Sequence, residues 1–450
     1  MKVYLKTYGC QMNERDSEAV AGMLAARGYE ITAQEEDADI LIFNTCSVRD
    51  QAERKAIGKI GILTRLKRRK PDIYIGIMGC MAQNRGQALL DELPHVDFVI
   101  GTGQLHRLPE ILAGVIAQRH RELRVEEDHA VLTGMSTHFS RGNRISAYIA
   151  VTRGCNRFCS YCIVPYVRGR EISREIADIK HEAIELVAQG VREIMLLGQN
   201  VAAFGLGGNI NPPPPDVSPF ADLLTELNDI PGLQRLRFTS PYPSYFNAKL
   251  IAAMAALPKV CHSLHLPLQS GSNAILRAMN RHYTAEQYLD IVGQLRRAIP
   301  DITFSTDIIV GFPGETETDF LATRRVMNEV GFDNAYIFKY SPRQGTVAAT
   351  MLDQVPQQIK EERNHILLDD LNRRVAKHNA ELRGQIVEVM VEGPSKRNCE
   401  RWCGRTATNK MTIFDPAPGL EPGDLVQVKI TRTTAMSLFG QLTATGGAPV

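Results

Sequence analysis

The first hundred residues alternate short apolar runs with longer segments whose apolar residues recur at helical spacing. The runs at Val3–Tyr8, Ile40–Asn44, Ile73–Met78 and Phe98–Ile100 are strand-length, and Ala19, Met23, Leu24 and Ala26 mark one stripe of an intervening helix. Strands alternating with amphipathic helices predict an α/β fold with a doubly wound parallel sheet. The polar, glycine-containing stretch Thr133–Arg144 then reads as a linker.

A second alternation follows, with strands predicted near 145–151, 194–197, 235–239, 262–268, 303–310 and 335–340. Ser173 is expected to cap a helix carrying Ile176, Ile179, Ala183, Leu186 and Val187, and Thr284 with Gln287 makes a capping-box pattern. Six strand–helix units fall short of the eight that close a barrel, so a partial (β/α)6 barrel is expected. Pro212–Pro215 must be a surface loop. A polar helix from Pro356 to about Arg383 leads to short apolar runs, Ile386–Val391, Met411–Phe414 and Leu425–Ile430, separated by Gly and Pro turns. These predict a small C-terminal all-β barrel. The expected domains are 1–125, 141–375 and 378–445.

Composition narrows the class. With 44% hydrophobic and 23% charged residues the chain is an ordinary globular protein. Its start, MKVYLKTYGCQMNERDSE, has no apolar signal core, and no uncharged stretch is long enough to span a bilayer. The expectation is a cytoplasmic protein with no membrane partner. Its nine cysteines are then expected as thiols, which favours metal binding or catalysis over disulfides. A net charge of +2 excludes a polycation, yet residues 54–70 hold eight basic and no acidic residues. Residues 373–450 carry 11 Lys+Arg against 7 Asp+Glu. Such regions suit either a solvated face or an anionic partner.

The candidate chemistry lies in six cysteines. Cys155, Cys159 and Cys162 follow directly on the first barrel strand with C-x3-C-x2-C spacing. Three thiolates can hold three irons of a [4Fe–4S] cluster and leave the fourth open to a small molecule. A structural zinc site would want a fourth ligand at regular spacing, and none follows nearby. Cys10, Cys46 and Cys80 are separated by about one strand-plus-helix unit each time, and each falls just past a predicted strand. Equivalent ends of parallel strands meet at one sheet edge, where ligands bind in such folds. Cys261 reads as core, and Cys399 with Cys403 as a barrel loop without special chemistry.

The cysteine spacing after the first barrel strand resembles the radical S-adenosylmethionine (SAM) superfamily. More narrowly, YGCQMNERDSE, NTCSVRDQAERK, GCMAQ and RGCNRFCSYCIVPYVRGRE resemble its methylthiotransferase family, in the branch acting on tRNA adenosine. GRTATNKMTIF resembles the TRAM domain, a small RNA-binding barrel. The resemblance covers essentially the whole chain. It implies two [4Fe–4S] clusters, one on Cys155, Cys159 and Cys162 that cleaves SAM to a 5′-deoxyadenosyl radical, and one on Cys10, Cys46 and Cys80 that delivers sulfur. The substrate would be dimethylallyladenosine beside the anticodon, methylthiolated at C2 with a second SAM giving the methyl group. Gln199, Asn200, Gln269, Ser270 and Asp307, all at strand ends, are the implied SAM contacts; Ala202-Ala203-Phe204 departs from the family pattern. Implied partners are the tRNA anticodon stem-loop, an electron donor such as a flavodoxin or ferredoxin, and a sulfur or cluster donor. The C-terminal barrel is expected to contribute RNA affinity rather than chemistry. Two other readings stay open: a methylthiotransferase acting on threonylcarbamoyladenosine or a ribosomal-protein aspartate, and a two-cluster electron carrier.

Overall fold

The computed structural model describes residues 1–47, 50–129, 134–135, 138, 144–209 and 211–443. Most of the expected linker at 133–144 lies outside the described residues, as do residues 48–49 of the second cysteine segment and 444–445 of the third expected domain. Strands β1 (Lys2–Tyr8), β2 (Glu30–Thr32), β3 (Ile40–Thr45), β4 (Tyr74–Gly79), β5 (Phe98–Ile100) and β6 (Glu122–Arg124) form a sheet of order β2-β1-β3-β4-β5-β6. Every pairing in it is parallel. Strands β3 and β4 are buried at every position because helices cover both faces. On one face Val20, Leu24, Leu112 and Val115 pack on Val3, Ile40, Ile42 and Met78. On the other, Ala56, Ile60, Leu89 and Leu90 pack on Leu41, Phe43, Ile75 and Ile77. The sheet is therefore doubly wound as expected. Edge strands β2 and β6 escape the apolar-run signal because their sequences, EIT and ELR, are short and half polar. The order runs one way from β1 to β2 and the other way from β3 to β6, so a crevice opens between the carboxyl ends of β1 and β3.

The second region contains β7 (Ser146–Ala150), β8 (Thr152–Arg153), β9 (Ile172–Ser173), β10 (Glu193–Leu197), β11 (Arg235–Phe238), β12 (Ser263–His265), β13 (Thr303–Val310) and β14 (Asn334–Lys339). Parallel sheets β11-β10-β7 and β12-β13-β14 are joined by a parallel bridge between Leu236 and Val260, which makes a six-stranded partial barrel. Its helices bury Ile179, Leu224, Tyr288 and Val326 against Ile149, Leu196, Leu236 and Phe304. The Thr284–Gln287 capping box forms. The Ser173 cap does not: the helix Ile176–Ala188 starts after Glu175 with no side-chain cap, and Ser173 pairs with Thr152 instead. Its Oγ accepts the Gly205 N–H at 2.9 Å, so sheet pairing wins over capping.

Strands β15 (Ile386–Pro394), β16 (Trp402–Arg405), β17 (Met411–Phe414), β18 (Leu425–Thr433) and β19 (Leu438–Leu442) close a small barrel around Val389, Val391, Phe414, Val428 and Leu438. The turn between β16 and β17 is fastened to the amino ends of the partial-barrel strands. Arg235 donates to the Arg405 carbonyl at 2.5 Å, and Arg237 to those of Thr406 and Ala407 at 2.9 and 3.0 Å. Thr303 Oγ1 donates to the Thr408 carbonyl at 3.0 Å, and Lys410 Nζ reaches Asp333 Oδ1 at 2.8 Å.

Candidate active site

Strand register lines up the first three cysteines. Tyr8 pairs with Thr45 and Thr45 with Gly79, so Cys10, Cys46 and Cys80 each follow that row by one or two residues. Gly79 turns the chain at φ +98°; a Cβ there would stand 2.3 Å from Asn44 Oδ1 and 2.7 Å from the Thr45 carbonyl. Only glycine fits this close approach, and the helix carrying Cys80 begins directly after it. Asn13 Oδ1 accepts from the Cys10 thiol at 3.3 Å, while Asn13 Nδ2 donates to Asn44 Oδ1 at 2.9 Å. Asn44 Nδ2 returns a bond to the Asn13 carbonyl at 2.8 Å. The two asparagines thus brace the crevice between β1 and β3. Cys46 and Cys80 are buried, and burial pushes the Cys80 thiol up.

The second triplet sits on the loop after β8. Gly154 has φ +80°, and a Cβ would lie 2.1 Å from the Arg170 carbonyl, so glycine is required here too. The loop is pinned by Cys155 N–H to the Gly169 carbonyl (3.1 Å) and by Asn280 Nδ2 to the Phe158 carbonyl (3.0 Å). Arg281 is buried over the Tyr242 and Tyr283 rings, and its Nη1 donates to Cys159 Sγ at 3.5 Å. Burial pushes Cys155 up to about 11 and Cys162 further. As thiols they would stay neutral; a bound metal ion supplies the charge that makes such groups thiolate ligands. Among the described residues no three His, Cys, Asp or Glu side chains meet closely enough to share one metal ion. A cubane does not require that, since each thiolate binds its own iron at a separate corner.

One cysteine of each triplet, Cys10 and Cys162, lines a shared cavity of about 1190 Å³. Met195, His265, Gln269 and Asp307 face it from the partial barrel, Arg54 and Lys55 from the first domain. Thr408, Asn409, Lys410 and Met411 line it from the C-terminal barrel, at the amino ends of the strands. Of the residues expected to contact SAM, Gln269 (φ +68°) and Asp307 line this chamber, and Asp307 Oδ2 lies 3.3 Å from His265 Nε2. The other three hold loops. Gln199 Oε1 accepts the Gly154 N–H at 2.6 Å, Asn200 Oδ1 accepts the Tyr242 N–H at 3.0 Å, and Ser270 bonds Thr323 Oγ1 at 3.1 Å. Ala202, Ala203 and Phe204 are buried. Cys261 is buried too, and neither Cys399 nor Cys403 lines the cavity.

Sequence reading missed Arg281 and Arg168, for which no spacing signal exists. It also missed Tyr336 and Phe338, both exposed on β14 and both lining the cavity. These two were findable: aromatic residues two apart on a strand share one face, and on the last barrel strand that face lines the cavity.

Comparison with known proteins places the same three segments in order. Residues 2–101 match the uncharacterized protein family UPF0004, residues 149–327 the radical SAM superfamily and residues 380–443 the TRAM domain. A tRNA-2-methylthio-N(6)-dimethylallyladenosine synthase of Opitutus terrae is 47% identical over 99% of this chain and 98% of its own. One from Akkermansia muciniphila is 44% identical, covering 98% of each. Among solved structures, the radical SAM methyltransferase TsrM of Kitasatospora setae shares the fold at a TM-score of 0.57 and 17% identity, over 75% of this chain and 72% of its own. With two relatives this similar over nearly their whole length, the chain belongs to the tRNA-2-methylthio-N(6)-dimethylallyladenosine synthase family of radical SAM enzymes.

Proposed function

We propose that this enzyme converts N6-dimethylallyladenosine beside the anticodon of tRNA to its 2-methylthio derivative. The observation that carries the reading is the shared chamber, which Cys10 enters from one domain and Cys162 from the next. Radical SAM membership brings a [4Fe–4S] cluster and SAM, which we assign to Cys155, Cys159 and Cys162. A second cluster on Cys10, Cys46 and Cys80 completes the reading, with functional units 1–125, 141–375 and 378–445. The donor sets fit: each offers three thiols, one short of a closed site, with Arg281 beside one set and Arg168 beside the other. Bound there, the two clusters supply one-electron cleavage of SAM and sulfur for an unactivated C–H position.

The chain's own residues bind, orient and exclude water. Gln269 and Asp307 face the space beside Cys162 and are assigned to SAM, with Gln199, Asn200 and Ser270 shaping the loops around it. Tyr336 and Phe338 offer exposed aromatic surface on which a splayed base and its apolar tail can rest. Arg54 and Lys55 set positive charge at the cavity wall, suited to the phosphates of an anticodon stem-loop. An unreactive C2–H explains the radical, because no side chain is basic enough to remove that proton. An electron donor of the flavodoxin or ferredoxin kind and a sulfur or cluster donor are required partners. A cytoplasmic setting follows from the tRNA substrate, and no helix among the described residues is long and apolar enough to cross a membrane. The test is mass spectrometry of tRNA nucleosides from cells lacking the gene. The 2-methylthio nucleoside should vanish and its dimethylallyl precursor accumulate; an unchanged profile overturns the assignment.

A further inference from the structure

Arg168 ends the helix Val164–Arg168, which starts two residues after Cys162, yet its side chain leaves the partial barrel for the first domain. Its Nη2 donates to Asp16 Oδ2 at 2.8 Å, and Asp16 lies on the helix that begins directly after Cys10. The two side chains are 3% and 7% exposed. The guanidinium is within hydrogen-bonding reach of the Cys80 side chain and within electrostatic reach of Cys10. Its other terminal nitrogen, Nη1, is buried without a hydrogen-bond partner. A second barrel arginine, Arg153, is buried alongside and bonded to the Thr102 carbonyl. Asp16 and Glu127 answer the two buried cations, but one N–H of Arg168 is left unsatisfied beside Cys80. A buried N–H is almost always received by an acceptor, and a sulfur of a cluster on the neighbouring cysteines would be one.

We propose that Arg168 is a positioning residue for the sulfur-delivering site: its Nη1–H bonds a sulfur of the cluster held by Cys10, Cys46 and Cys80, and its charge makes that cluster easier to reduce. This rests on the two-cluster reading above. A cluster on three thiolates is anionic and gains a further negative charge on reduction, so a buried cation stabilises the reduced form more than the oxidised one. Hydrogen bonds and charges around the ligands are established tuning elements of metal centres. The planar fork of arginine can hold Asp16 with one nitrogen and a sulfur with the other, a spread that the single nitrogen of a lysine does not reproduce. Because the arginine belongs to the partial barrel, the first domain's site gains this charge only when the two domains are docked.

The experiment uses the full chain with Cys155, Cys159 and Cys162 changed to Ala, so that one cluster remains, reconstituted anaerobically with iron and sulfide. Its midpoint potential is read by redox titration followed by electron paramagnetic resonance, with iron per chain measured alongside. Arg168→Gln should shift the potential to more negative values and Asp16→Asn to more positive values, with Arg168→Lys between Arg168→Gln and the parent. A merely structural role would not produce shifts of opposite sign. Unchanged potentials, or both shifts in one direction, overturn the proposal while leaving the two-cluster reading intact. A parent that binds no iron overturns that reading and the proposal with it. Should Arg168→Gln fail to fold, Arg168→Lys keeps the charge but loses the planar fork, and a negative shift in that variant still decides.

Discussion

Cys80 packs against Ile163, the residue that follows Cys162, and Val167 completes the buried contact. One cysteine set therefore touches the loop that carries the other, across a domain boundary. Separating the two sets means opening a buried apolar contact and the Arg168–Asp16 ion pair.

This adjacency with separate donor sets predicts separable losses. Changing Cys155, Cys159 and Cys162 to Ala should abolish SAM cleavage and keep about half the iron, one of two clusters. Changing Cys10, Cys46 and Cys80 should leave SAM cleavage and remove methylthio product. Iron analysis and chromatography of 5′-deoxyadenosine check both. A reconstituted parent chain with only four irons contradicts the two-cluster account.

The turn at 406–410 gives the C-terminal barrel a part in the chamber, in addition to the RNA affinity expected of it. Removing residues 380–450 takes away carbonyls that Arg235 and Arg237 use, and the Thr408–Met411 floor. Weaker tRNA binding, with a shallower dependence on salt than in the full chain, is expected from lost phosphate contacts. The floor adds a second expectation: Lys410→Ala, which cuts the tie to Asp333, should raise 5′-deoxyadenosine formed per methylthio product several-fold. An unchanged ratio in that variant would rule out the sealing role.

Acid should loosen the domain interface. Burial would raise Glu182, but His138, Arg174 and Arg15 together hold it below the ordinary carboxylate value. Burial pushes His138 below its ordinary 6.5. A depressed histidine binds fewer protons folded than unfolded, so its stability contribution is lost as pH falls below 6.5; that of Glu182 is lost lower still, from about 4.5 downward. The slope is at most about 1.4 kcal/mol per pH unit for one proton. Melting temperature should fall less between pH 7 and pH 5 in His138→Gln than in the parent; parallel curves would exclude His138 as the cause.

Aromatic surface on β14 should matter for substrate, not for SAM. Phe338→Ala removes an exposed ring from the cavity wall without opening the core. Loss of base stacking is worth about 1–3 kcal/mol, or roughly 5- to 150-fold in kcat/KM for RNA. RNA-independent SAM cleavage should be unaffected. Equal loss of both activities would mean that Phe338 supports the fold instead.

Much of this was legible because periodicity and spacing report directly on topology. The interval between Cys10, Cys46 and Cys80 equals one strand–helix unit, and the observed register puts each at the same end of its strand. The six barrel strands and the Thr284 cap followed from local pattern. Edge strands β2 and β6 did not, since a strand paired on one side and half exposed needs no apolar run. Ser173 was misread because a local cap signal cannot register a competing partner at Thr152. Gln199 and Asn200 share a strand end with chamber residues, but which way a side chain turns depends on distant backbone at Gly154 and Tyr242. Arg168 reaches its partner 152 residues away, a relation that no window along the chain contains.

The central claim is the choice of substrate, and one assay bears on it most directly. Anticodon stem-loops carrying dimethylallyladenosine, threonylcarbamoyladenosine or unmodified adenosine are incubated at equal concentration with the reconstituted enzyme, SAM and a reductant. The dimethylallyl tail needs only apolar surface, which Tyr336 and Phe338 offer on the cavity wall, and relatives similar over nearly the whole chain are named for that substrate. Mass spectrometry should find the methylthio product on the dimethylallyl stem-loop and little on the other two. Preference for the threonylcarbamoyl stem-loop would contradict the account.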